Sequence, residues 1–117
     1  SNDMTNPLVL ILCISGLIFL LAGFIQQRFP PKKINHLYGY RKSNSMKSQE
    51  SWDFAQEYSA KKMMKMGTYI TALGLLAWSI DLQLLWSVGI ALSIVTIGPL
   101  LMLFKVESEL KKRFPKK

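Results

Sequence analysis

The residues of this chain best suited to recognition chemistry stand together in Asn35-His36-Leu37-Tyr38-Gly39-Tyr40-Arg41, with Ser45 and Trp52 shortly after. Arg41 offers a planar fork of donors that can hold a phosphate or a carboxylate through two parallel bonds. Tyr38 and Tyr40 each join an apolar ring to a polar tip, a combination suited to a lipid headgroup layer. Gly39 between them permits a positive φ or a close backbone approach. Asn35 can brace the turn with an Asx-type bond. Two readings follow. In one, these residues form a pocket that receives a lipid headgroup, a peptide terminus or a partner's acidic group. In the other, Arg41 pairs with Asp53 or Glu57 and ties the loop to the next helix, while the tyrosines anchor at an interface.

Other chemistry finds little material. His36 is the only histidine, and no Cys, Asp or Glu cluster stands beside it at metal-ligand spacing. It reads as a solvated loop residue, and neither a metal nor a cofactor is expected. Ser43, Ser45 and Ser48 lack an activating base and read as turn and cap residues, so no catalytic set is assigned. Cys13 is the only cysteine and excludes an intrachain disulfide. Asp81 reads as a solvated turn residue, with proton sensing or cation binding as the alternative. Trp78 and Trp86 flank it as an aromatic belt.

The elements that position these residues follow from the charge distribution. All 15 Lys and Arg residues lie in 26–65 or 105–117, and the net charge is +8. Pro7–Ile25 is uncharged and, as a helix, spans about 28 Å at about 1.5 Å per residue. Only Asp81 interrupts the apolar run from Met66 to Phe104. As a single helix that run would be about 58 Å long, nearly twice a hydrocarbon core of about 30 Å, so it must fold back near Asp81 and Gln83.

The expected fold is therefore an all-α membrane protein forming a single membrane domain. It has three transmembrane helices, at about 7–25, 64–81 and 84–104. A cytoplasmic-side amphipathic surface helix lies within an inner loop over 26–63, and a basic cytoplasmic tail covers 105–117. The first span is expected to be retained rather than cleaved as a signal peptide: only acidic Asp3 precedes it, and Gln-Gln-Arg-Phe-Pro-Pro follows it. Lys and Arg near span ends stay cytoplasmic, which places the amino terminus and the Asp81 turn outside, and the loop and tail inside. Anionic headgroups account for the basic segments, and nucleic acid is not an expected partner.

Small residues should hold the helices together, because close backbone approach drives association in lipid. Ser15, Gly16, Ala22 and Gly23 offer such a stripe in the first span, Gly67, Thr71 and Gly74 in the second, and Ser87, Ala91 and Gly98 in the third. Pro99 should bend the third span. Pro30 and Pro31 end the first helix. Ser48 caps a new helix whose first turns carry Glu50 and Asp53. On that helix Trp52, Ala55, Tyr58, Ser59, Met63 and Met66 share one side, opposite Glu50, Asp53, Glu57 and Lys61.

With the motif placed between two spans, the sequence resembles the SdpI family of bacterial membrane proteins. The family pattern reads Asn-x-x-aromatic-Gly-Tyr-Arg, then Ser-Met, then Trp-x-x-Ala. Asn35, Tyr38, Gly39, Tyr40, Arg41, Ser45, Met46, Trp52 and Ala55 stand at the matching positions, and the resemblance covers roughly residues 7–104. Lys42-Ser43 replaces the usual Thr-Pro, and Gln56 replaces the usual Asn. The resemblance implies a non-enzymatic protein of the bacterial inner membrane that confers immunity to a secreted membrane-active peptide. Its partner would be that peptide toxin; the basic segments add the anionic bilayer, and a homo-oligomer is the other partner considered. A small oligomeric transporter or channel subunit is the main alternative, and a lipid-directed membrane enzyme using Arg41 to hold a phosphate is another.

Overall fold

In the computed structural model, which describes residues 6–35 and 37–115, α1 (Pro7–Arg28) begins where side chain and sequence both favour it. The Asn6 side-chain oxygen accepts the backbone N–H groups of Leu8 at 3.0 Å and Val9 at 3.4 Å. Pro7, at the first helical position, has no N–H that would need a partner. The helix ends at Phe29, immediately before Pro30 and Pro31. His36 and Asp3 lie outside the described residues, as do Lys116 and Lys117 at the end of the tail.

After a loop that closes with a short 3₁₀ turn at Ser45–Lys47, α2 (Gln49–Leu76) runs without a break. Ser48 and Ser51 cap it reciprocally. The Ser51 N–H donates to Ser48 Oγ at 3.1 Å, and the Ser48 N–H donates to Ser51 Oγ at 3.1 Å. The expected surface helix and most of the expected second span are thus one element. No proline interrupts it, and Gly67 is held helical by close packing. The polar first half of α2 therefore packs under the loop and against the next helix. Its predicted sidedness holds: Trp52, Ala55 and Ser59 are buried, while Glu50, Asp53, Glu57 and Lys61 are exposed.

A second 3₁₀ turn at Ala77–Ser79 and an exposed connection containing Asp81 lead into α3 (Leu84–Arg113). This helix passes through Pro99 and continues beyond residue 104, so most of the expected tail is helical. The cause is an apolar stripe at helical spacing: Val106 and Leu110 are fully buried, and Leu103 and Phe114 pack beside them.

The three helices form an up-down-up bundle about 54 Å long. α1 and α2 pack tightest, through small residues. An ideal Cβ on Gly67 would lie 2.5 Å from the Leu20 nitrogen and 2.6 Å from the Gly16 carbonyl oxygen, so backbone meets backbone. Gly23 packs on Ala60 and Met64 in the same way, and Gly74 on Cys13. Ser87 and Ala91 are buried as well, whereas Ala22 faces outward. One apolar cluster, containing Leu8, Leu12, Ile70, Ala77 and Ala91, closes the Asp81 end; another, containing Tyr40, Ala55, Val106 and Leu110, closes the loop end. At the Asp81 end, the Asn6 amide donates to the Ile80 carbonyl at 3.2 Å. Among the described residues, Pro7–Arg28 and Leu84–Arg113 are long and apolar enough to cross a membrane.

Candidate functional site

The loop between α1 and α2 folds onto the ends of all three helices, and its polar side chains do the fastening. Asn35 forms the expected Asx turn. Its oxygen accepts the N–H groups of Leu37 and Tyr38, both at 2.8 Å, and its amide donates to the Lys33 carbonyl at 2.9 Å. Tyr38 sends its hydroxyl to the Phe29 carbonyl at 2.7 Å, satisfying an acceptor that the end of α1 leaves open. Leu37 stays 91% exposed, so it is the Tyr38 hydroxyl rather than apolar burial that ties this stretch of loop to α1.

Gly39 adopts φ +103°, which an L side chain rarely tolerates. Space forbids one as well: an ideal Cβ there would come within 2.5 Å of Gln56 Oε1 and 2.6 Å of Pro31 Cγ. The turn delivers Tyr40 to Gln56 of α2. Gln56 Oε1 accepts the Tyr40 N–H at 2.7 Å, and Gln56 Nε2 donates to the Tyr40 carbonyl at 2.9 Å. A buried side-chain amide thus replaces the partner strand that the Tyr40 backbone would otherwise need. From α1, Gln26 Nε2 donates to the Gln56 carbonyl at 3.0 Å and to Ser59 Oγ at 2.9 Å. Trp52, wholly buried, donates its indole N–H to the Pro31 carbonyl at 2.6 Å.

The third helix enters through Glu107. Tyr40 donates its hydroxyl to one carboxylate oxygen, and Asn44 Nδ2 donates to the other at 2.7 Å. Burial raises the Tyr40 hydroxyl well above the ordinary tyrosine range, and the Glu107 carboxylate raises it further, so the phenol remains a donor. Ser45 Oγ accepts the Lys42 N–H at 3.0 Å and lies 3.1 Å from the Tyr40 carbonyl. Lys47 donates to the Phe114 carbonyl at the end of α3. Among the described residues, no buried side-chain nitrogen or oxygen is left without a partner.

Of the residues singled out in the sequence, Gly39, Tyr40, Ser45 and Trp52 converge with Gln56, while Asn35 and Tyr38 secure the approach from α1. Arg41 is exposed beside them, with its Nε 3.4 Å from the Gly39 carbonyl. Glu57 pairs with Lys61 at 3.1 Å, and Asp53 accepts from Gln49 at 2.8 Å. Sequence reasoning passed over Gln26, Asn44 and Glu107, and saw Gln56 only as a departure from a pattern. A signal was present: Gln26 continues the buried face of Gly16 and Gly23, and Glu107 borders the Val106–Leu110 stripe. Beside the fastened loop lies an open cleft of about 560 Å³, bounded by Pro30, Pro31 and Lys32 on the loop and by Gln49, Asp53 and Glu57 on α2. Among the described residues, no set of three His, Cys, Asp or Glu gathers to hold a metal.

Comparison with known proteins matches residues 32–103 to the SdpI/YfhL protein family, a stretch that runs from the loop through most of α3. The chain is also similar to the uncharacterized protein YfhL of Bacillus subtilis (strain 168), with 42% identity over 66 residues. That alignment covers 56% of this chain and 60% of the relative. No solved structure matches.

Proposed function

This chain belongs to the SdpI/YfhL protein family, and from that premise we propose that it is a multi-pass protein of the bacterial inner membrane that protects the cell against a secreted, membrane-active peptide. The observation that carries the reading is how the family motif is used. Its tyrosines and tryptophan bond to α1, α2, α3 and the loop, its serine to the Tyr40 carbonyl, and its asparagine shapes the turn between them, so that three helix ends are joined into one surface. A surface fastened so thoroughly suits binding rather than turnover, and we read the protein as non-enzymatic.

In this reading lipid surrounds α1, α3 and the apolar second half of α2, with spans near 7–25, 64–81 and 84–104. Apolar side chains exposed around the bundle support it, among them Leu17, Leu21 and Phe24 on α1 and Leu100, Leu101 and Phe104 on α3, each more than half exposed. The basic residues place the loop end in the cytoplasm and the Asp81 turn outside. The motif builds the surface, and the charged side chains around the cleft, Lys32, Asp53 and Glu57, together with Arg41, contact the peptide.

The test is survival. A toxin-sensitive strain expressing the protein is challenged with a panel of secreted membrane-active peptides. Protection is expected, and Arg41→Ala combined with Asp53→Lys and Glu57→Lys should abolish it at unchanged membrane levels. A protein that inserts normally and protects against none of the peptides would sink the immunity reading. Protection that survives the triple change would move the contact surface elsewhere.

A further inference from the structure

The structure holds a second feature, away from the motif. Between α2 and α3 runs a groove of about 340 Å³ with an apolar floor that includes Met66, Ile70, Leu73, Ile94 and Leu101. Along it the two helices meet through side chains, Met66 and Ile70 of α2 packing in one cluster with Ile94 and Val95 of α3. Gly98 lines it. An ideal Cβ there would meet its nearest atoms, Met66 Sδ and Ile70 Cδ1, only at 3.5 and 3.6 Å, an ordinary contact and unlike the backbone-on-backbone packing of α1 and α2.

One end of the groove is lined by Lys62, Lys65 and Lys105. The acids nearby are engaged elsewhere. Glu57 pairs with Lys61 at 3.1 Å. Glu107 accepts from Tyr40 and Asn44. Glu109, which also feels Lys62 and Lys112, pairs with Arg113 at 2.9 Å. The groove end is therefore cationic. From Lys62 to Leu73 on one wall, and from Lys105 to Ile94 on the other, the groove is about 16 Å deep at about 1.5 Å per residue, close to half of a hydrocarbon core of about 30 Å.

We infer that this groove is a site for one anionic phospholipid: its phosphate sits on Lys62, Lys65 and Lys105, and an acyl chain lies along the apolar floor to Gly98 and beyond. A groove one leaflet deep, charged only at its headgroup end, matches that amphiphile. A second copy of this chain, with its net charge of +8, would bring further positive charge to the lysines and suits the groove poorly. The inference rests on the membrane reading above but not on immunity to a peptide.

The full-length protein would be extracted from membranes in mild detergent, reconstituted in nanodiscs of equal phosphatidylglycerol and phosphatidylcholine, and weighed by native mass spectrometry after release. The expected result is one retained phosphatidylglycerol, favoured over phosphatidylcholine by about tenfold or more. The triple variant Lys62→Gln/Lys65→Gln/Lys105→Gln should fall to near parity. Lys33→Gln/Lys42→Gln/Lys111→Gln removes as many charges from exposed positions at the same end of the bundle, leaves the Glu109–Arg113 pair intact and should keep the preference. Gly98→Leu should lower retention of both lipids, and 20 mM inorganic phosphate, about a hundredfold above the protein, should displace nothing. No preference in the wild type, equal losses in the two triple variants, displacement by free phosphate, or a dimer that excludes lipid would each overturn the site. A protein that stays monodisperse without detergent would instead overturn the membrane reading itself, which separates the two failures. The lysine variants change only groove-rim side chains, so the test stands even if Gly98→Leu does not fold.

Discussion

Replacing Gln56 with leucine asks whether one buried amide holds the loop to the bundle. The wild-type side chain makes two bonds to Tyr40, accepting its N–H at 2.7 Å and donating to its carbonyl at 2.9 Å. Leucine conserves much of the volume and removes both. The Tyr40 carbonyl keeps Ser45 Oγ at 3.1 Å, but its buried N–H loses the Gln56 oxygen that accepts it. An orphaned buried donor costs about 1–3 kcal/mol, and the second lost bond adds about 1. A local destabilisation of about 2–4 kcal/mol multiplies the open population of the loop about 30- to 900-fold. Trypsin reads that population when closing is faster than cleavage, and Arg41 and Lys42 lie next to the clamp. Cleavage there in detergent-solubilised protein should accelerate by that factor. Gln49→Leu is the control: that exposed side chain donates to the Lys32 carbonyl at 2.7 Å, and its loss should change the rate less than about threefold. Equal cleavage rates in wild type and Gln56→Leu would refute the reasoning, because the loop would then be held by other contacts.

Two further outcomes are expected. Because the folded protein holds the Tyr40 proton more tightly than an ordinary tyrosine of pKa 10.0, the folded state binds more protons above that pH, and stability falls as pH rises by up to about 1.4 kcal/mol per unit. Tyr40→Phe lacks that proton, so its stability deficit relative to wild type, from thermal melts between pH 9 and 11.5, should be constant below about pH 10 and shrink above it; a deficit that stays constant throughout would contradict the buried phenol. Gly67→Val should lower the melting temperature, at a cost of about 1–3 kcal/mol or more, because its Cβ would meet the backbone of Leu20 and Gly16. Gly89→Ala, with nothing within 4 Å, should be neutral or slightly stabilising, and an equal loss in both variants would remove the packing argument.

Much of the fold was legible because charge and apolar length report on solvent. The reversal at Asp81, the end of α1 at Pro30-Pro31, the Ser48 cap and the stripes at Gly16, Gly23 and Gly67 all depend on local chemistry that sequence displays. The sequence left open whether the surface helix continues into the second span; it does, because a drop in hydropathy at Lys61–Lys65 marks a change of surroundings rather than the end of a helix. Burial alone could not be inferred from residue type at the site. Tyr38 and Tyr40 looked like interfacial anchors, yet Tyr38 closes the end of α1 and Tyr40 is buried against Glu107. Their partners lie far along the chain, and no local periodicity announces a hydrogen bond between Tyr40 and a residue at position 107. Gln26 and Gln56 were similarly hidden, since a glutamine in a helix is ordinarily solvated and only the fold brings these two side chains together.

The interlocked glycines of α1 and α2 have a mechanical consequence. Sliding one helix along the other by a turn would push a leucine or isoleucine into backbone that now accepts only hydrogen, so intermediate positions are closed and the pair has a single vertical setting. That setting fixes the height of Asn6 above one rim and of Gln26 above the other. On the membrane reading proposed above, bilayers of different thickness would tilt the two helices together as one plank, carrying the loop with them, with no adjustment by shearing.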